Sequence, residues 1–186
     1  MSNLNRRRFV AATAMTMAAT RFGMIDSTTA QPQSRPIAFG PIKQIDVGVL
    51  NIGYAEAGPP NGRPVILLHG WPYDIHSDVE VAPLLAAQGY RLIIPYLRGY
   101  GTTHFLSAHI PRNGQQSALA VDIIARMDAL SIETAIIGGF DWGARTANIM
   151  AALWPERYKA MISVSGYLIG SREANRNPLP PQAELE

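Results

Sequence analysis

The chain of 186 residues contains no cysteine. That excludes a disulfide framework, a thiolate metal site and a cysteine nucleophile. Charged residues are also scarce, at 16% against 47% hydrophobic, which is the balance of a chain that folds around a core. No apolar run reaches the roughly 20 residues that a membrane-spanning helix needs. The mildly apolar stretch from Ala11 to Ala19 falls short and is interrupted by threonines. Histidine occurs only at 69, 76, 104 and 109. No zinc-ligand spacing, phosphate loop, dinucleotide fingerprint or internal repeat is present, and no metal or cofactor is expected.

A pI of 9.1 and a net charge of +2 invite a nucleic-acid reading, so the location of the charge decides the matter. Residues 1–30 hold Arg6, Arg7, Arg8 and Arg21 against Asp26, a net of +3, which leaves +2 minus +3, or −1, for the rest. The body has no basic stripe, and no nucleic-acid partner is expected. The leader itself, Asn5-Arg6-Arg7-Arg8-Phe9-Val10 followed by a modest apolar region and Thr28-Thr29-Ala30, resembles a twin-arginine signal peptide. The resemblance implies the twin-arginine export machinery as a partner and a periplasmic or secreted location in a bacterium. The proline-rich segment 31–41 reads as a linker.

Strands and helices then alternate. Ile42 to Gly48 and Leu50 to Ala57 read as an antiparallel hairpin, and the unbroken run Val65-Ile66-Leu67-Leu68 as a central parallel strand covered on both faces. Ser77-Asp78-Val79-Glu80 has the form of a capping box opening a helix whose Val81, Leu84 and Leu85 share one face. Arg91 to Pro95 is the next strand. Asn113 with Gln116 caps a helix carrying Ala120, Ile123, Ile124, Met127 and Leu130 on its core side. Thr134 to Ile137 is a strand, Ala147, Met150, Ala151 and Trp154 line the helix that Pro155 ends, and Tyr158 to Ser165 is a further strand. The alternation predicts an α/β fold with a mostly parallel, doubly wound sheet.

The chemistry concentrates in Ala135-Ile136-Ile137-Gly138-Gly139-Phe140-Asp141-Trp142-Gly143-Ala144. An apolar strand runs into a glycine-flanked aspartate and on into a helix. Small residues two before and two after, Gly139 and Gly143, let strand and helix approach around a tight turn at Asp141. A carboxylate, with a reference pKa of about 4, is anionic at neutral pH and attacks without a base. It suits displacement at an alkyl carbon, such as an epoxide or alkyl halide, and the resulting ester is hydrolysed through an oxyanion that needs N–H donors, the Trp142 backbone among them.

Three segments in order, His69-Gly70-Trp71-Pro72, Arg98-Gly99-Tyr100-Gly101 and Gly139-Phe140-Asp141-Trp142-Gly143, resemble the aspartate-nucleophile branch of the α/β-hydrolase fold family. That branch includes epoxide hydrolases, haloalkane dehalogenases and haloacetate dehalogenases. The resemblance implies Asp141 as nucleophile and the Trp71 backbone N–H as the second oxyanion donor beside Trp142. It casts His69, Gly70, Pro72, Gly139 and Gly143 as supporting residues and Trp142 as substrate-binding. Arg145 resembles a haloacetate dehalogenase arginine that would meet a substrate carboxylate. His104 and His109 read as surface loop residues. Relatives often carry an acid two residues before Arg98; Tyr96 stands there, so no counter-ion for the arginine is visible nearby.

The family's triad runs nucleophile, acid, histidine, and every histidine of this chain precedes Asp141. Residues 42–170 therefore read as the N-terminal part of the core, truncated before the cap and the last strands, and 171–186 as the start of a cap linker. The expected reaction on a small-molecule substrate is epoxide hydrolysis to a diol, with haloalkane or haloacetate dehalogenation as the alternative. A catalytically incomplete fragment or non-catalytic binding module is the reading from another class.

Overall fold

The computed structural model describes residues 39–166 and Arg176. The expected signal peptide, most of the linker and nearly all of the segment 171–186 lie outside the described residues.

Strands β1 (Lys43–Val47) and β2 (Leu50–Ala57) form the antiparallel hairpin that the alternation predicts. They are followed by β3 (Arg63–Leu68), α1 (Val81–Ala87), β4 (Tyr90–Pro95) and the two-residue β5 (His104–Phe105). Then come α2 (Gln116–Ala129), β6 (Ala135–Phe140), α3 (Trp142–Leu153) and β7 (Tyr158–Val164). The sheet order is β1-β2-β4-β3-β6-β7, with β5 on β2. β3 pairs in parallel with β4 and β6, and β6 with β7, so the apolar run 65–68 is central, as its composition requires.

Side chains alternate between the two faces of the sheet. Ile66, Leu68, Ile93 and Ile137 point to the face covered by α2 and α3, where Ala120, Ile123, Met127, Ala147 and Met150 meet them. Val65, Leu92 and Ile94 point to the other face and pack with Ala82 of α1. That second face is only partly covered among the described residues. Val65, Leu67, Val81, Leu85, Ile136, Phe140, Ile162 and Val164 line an apolar groove of about 510 Å3 there, and Ile162 of β7 is 61% exposed.

Several boundaries differ from the sequence reading. β6 runs to Phe140 instead of ending at Ile137, because Gly138 and Gly139 are paired on both sides, with Leu67 and Leu68 of β3 and Ile162 and Ser163 of β7. The capping box at Ser77–Glu80 does not form. Residues Ile75–Asp78 make a 3₁₀ turn capped by Asp74, whose Oδ1 accepts from the His76 N–H at 2.9 Å, while the Ser77 N–H is taken by the Asp74 carbonyl. Buried Ile75 anchors that turn, and α1 starts later with Glu80 at its N-cap and no side-chain cap bond. The helix is therefore rotated from the expected phase: Ala82 is buried, whereas Val81 is exposed and Leu84 is 69% exposed. Asn113 likewise acts one residue early, its Oδ1 accepting from the Gln115 N–H before α2 begins.

Candidate functional site

β6 ends and α3 begins on either side of Asp141, which holds φ 48° and ψ −115°, a left-handed backbone that a non-glycine residue adopts only under constraint. The constraint is visible. The Asp141 N–H donates to the Val164 carbonyl at 3.0 Å, and its own carbonyl accepts the Arg145 N–H at 3.0 Å, the first bond of α3. A Cβ at position 139 would lie 2.6 Å from the Gly143 carbonyl carbon, and one at 143 would run into the Leu68 carbonyl. The two glycines are thus the condition for the bend.

The loop after β3 faces this bend. The Trp71 N–H donates to Asp141 Oδ1 at 2.9 Å. Gly70 lies so near that a Cβ there would sit 2.6 Å from the Asp141 Cβ, and the Trp71–Pro72 peptide is cis. With Oδ1 held, Oδ2 points toward Arg145, whose Nη2 is 4.0 Å away. The Arg145 guanidinium also sits over the Trp142 ring at 5.4 Å. Arg145 is consequently a neighbour of the carboxylate and not a remote surface arginine. Trp71 and Trp142, with Leu97, Arg98, Tyr100 and Leu119, line a slot of about 230 Å3, while the Trp71 side chain is 67% exposed.

His69 is fully buried. Its Nε2 accepts from the Leu97 N–H at 3.1 Å, which leaves Nδ1 to donate to the Gly70 carbonyl at 3.1 Å. Burial pushes its pKa below the ordinary histidine value, in keeping with a neutral ring. The Tyr100 ring meets it edge-on at 4.6 Å. Burial, and then the Asp141 charge, raise the Tyr100 hydroxyl pKa. Both ring nitrogens are thus engaged, one with the Leu97 N–H and the other with the Gly70 carbonyl. His104 and His109 are exposed, although His104 belongs to the short strand β5 and not to a loop.

Asp122 was not visible as a site residue. Both oxygens of its carboxylate accept from Arg98, from Nε at 2.8 Å and Nη2 at 2.7 Å, so the arginine that lacks an acid at position 96 finds one on α2. The sequence signal was a charged residue one place from Ile123 in an otherwise apolar stripe. Among the described residues, no group of three or more His, Asp or Glu side chains is placed to hold a metal.

The fold has counterparts among known proteins. Residues 63–184 match the family model of the alpha/beta hydrolase fold. The chain belongs to the α/β-hydrolase fold family. It is similar to a Klebsiella pneumoniae protein, provisionally designated an epoxide hydrolase, whose crystal structure superposes with a TM-score of 0.69 at 67% identity over 77% of this chain and 48% of that one. It is 34% identical over 143 residues to epoxide hydrolase 3 of Siraitia grosvenorii, covering 77% of this chain and 43% of the relative. It is also 35% identical over 113 residues to the fluoroacetate dehalogenase of a Burkholderia species, covering 60% of this chain and 36% of that enzyme. The chain spans less than half the length of these relatives.

Proposed function

We propose that Asp141 is the nucleophile of an epoxide hydrolase. Its Oδ2 attacks a ring carbon, the carbon–oxygen bond of the ring breaks, and the ring oxygen leaves as an alkoxide that must be protonated. The product is an ester in which Oδ2 bridges to the substrate and Oδ1 is the carbonyl oxygen. Water then adds at the carboxyl carbon and charge develops on Oδ1. The observation that carries this reading is the 2.9 Å bond from the Trp71 N–H to that same oxygen. A donor already placed where charge will develop lowers the barrier to ester hydrolysis. The Trp142 N–H, opening α3, is the proposed second donor, and the slot between the two tryptophans takes the substrate.

Water supplies the proton to the ring oxygen when these 186 residues act alone, but ester hydrolysis needs a base to activate the attacking water and all four histidines here precede Asp141, so the proposed outcome for this chain is one reaction followed by a stall. Styrene oxide should label a peptide containing Asp141 stoichiometrically, without sustained diol release, and Asp141→Ala should abolish labelling. Multiple turnovers by the purified chain would refute the stall. Failure of the wild-type chain to be labelled would favour a non-catalytic binding role.

The neighbourhood of Arg145 favours a second reading. A cation 4.0 Å from Oδ2 and stacked near Trp142 is placed to meet the carboxylate of an α-halo acid while Oδ2 displaces the halide. Stoichiometric fluoride release from fluoroacetate, lost in Arg145→Met, would select that reaction; labelling by styrene oxide retained in Arg145→Met would select epoxides.

A further inference from the structure

The fork between Arg98 and Asp122 is largely buried. Arg98 gives Nε and Nη2 to Asp122 and Nη1 to the Asn113 carbonyl at 2.7 Å, and both side chains are 9% exposed. At Asp122 burial outweighs the guanidinium and holds the carboxyl above its ordinary pKa, so the pair is no clear source of stability. Its placement suggests what it does instead. Arg98 itself lines the slot beside Trp71 and Trp142. Its loop reaches His69 twice, through the Leu97 N–H on Nε2 and the Tyr100 ring edge on the imidazole. His69 holds the Gly70 carbonyl, and the next N–H along the chain is that of Trp71, on Asp141 Oδ1.

We propose that Asp122 is a positioning residue for the Asp141 site. By forking Arg98 it fixes residues 97–101 against the His69 ring, and the ring fixes the backbone that presents the Trp71 N–H to Oδ1. The inference rests on the proposed function only for its kinetic consequence.

Two variants of the full chain test it. Asp122→Asn keeps the shape and removes the charge. Arg98→Met combined with Asp122→Leu replaces the pair by an apolar one, a change that generally leaves folding intact. Asp128→Asn serves as control, because it breaks an ion pair with Arg157 at the opposite end of β6. The readouts are thermal stability, the imidazole 15N shifts of His69, and single-turnover labelling of Asp141 by styrene oxide. Both test variants should shift the His69 Nε2 resonance and slow labelling at least tenfold, with the apolar pair as stable as wild type and the control unchanged in both respects. Unchanged His69 shifts would overturn the proposal, and so would shifted resonances with labelling at the wild-type rate. If Asp122→Asn does not fold, the apolar pair decides. If the wild type is not labelled at all, the function reading fails and the His69 shifts alone decide: changed shifts support the positioning role and unchanged ones refute it.

Discussion

Single residues at the bend carry unequal burdens. Gly143 has no room for a methyl group because the Leu68 carbonyl occupies the space, so Gly143→Ala must push α3 away from β3. Overpacking of this kind typically costs about 1–3 kcal/mol. The variant should melt lower and lose labelling of Asp141, which calorimetry and peptide mass spectrometry would measure. Arg126 presents the opposite situation. It is 1% exposed and sits over the Tyr54 ring at 4.4 Å, and none of its three nitrogens has a hydrogen-bond partner among the described residues. Burial pushes its pKa down to about 9. A buried cation without a hydrogen-bonded counter-ion opposes folding, so Arg126→Met should raise stability, on the order of 1 kcal/mol, in urea titrations at pH 7. A large loss of stability instead would mean that the ring contact outweighs desolvation.

At the scale of elements, the side of the sheet away from α2 and α3 holds the least satisfied part of the fold. Asp78, at the end of the 3₁₀ turn, lines the apolar groove, its buried Oδ2 lacks a partner among the described residues, and burial raises its pKa to about 6. A carboxyl whose folded pKa lies above its unfolded value of about 4 is penalised when ionised, so the penalty begins near pH 4 and is complete above pH 6. Asp78→Asn should therefore stabilise the chain at pH 7.5, by about 1–2 kcal/mol once solvent screening is allowed for, and make little difference at pH 3.5. Melting curves at the two pH values measure this, and an equal effect at both would refute the assignment. The elements also show where periodicity succeeds. The α2 stripe of Ala120, Ile123, Ile124 and Met127 is buried as its spacing demands, because fourteen residues give the pattern enough turns to fix a face. α1 has seven residues, and there the position of Ala82 against the sheet decided the rotation.

For the whole molecule, the excess of positive charge belongs to residues 1–30 and not to the hydrolase core. We propose that this leader directs export through the twin-arginine pathway. Replacing Arg6 and Arg7 by Lys should abolish export of a reporter fused after residue 30, and undiminished export would refute the proposal. The nearly complete exposure of β7, together with the groove beside it, leaves apolar surface open in the described residues. The 186-residue chain should accordingly bind a hydrophobic dye such as ANS more strongly than a full-length relative does.

Local information alone settled the strand-turn-helix around Asp141, the central placement of residues 65–68 and the family. Each depends on small residues at a bend or on an unbroken apolar run, and such signals are complete within a few residues of chain. What only the tertiary structure decided were meetings between distant segments: Asp122 with Arg98, Arg145 beside Oδ2, and the Trp71 N–H on Oδ1, seventy residues away in sequence. A side chain's partner across the fold leaves no periodicity behind it, since it depends on how the helices and loops are oriented once the sheet has formed.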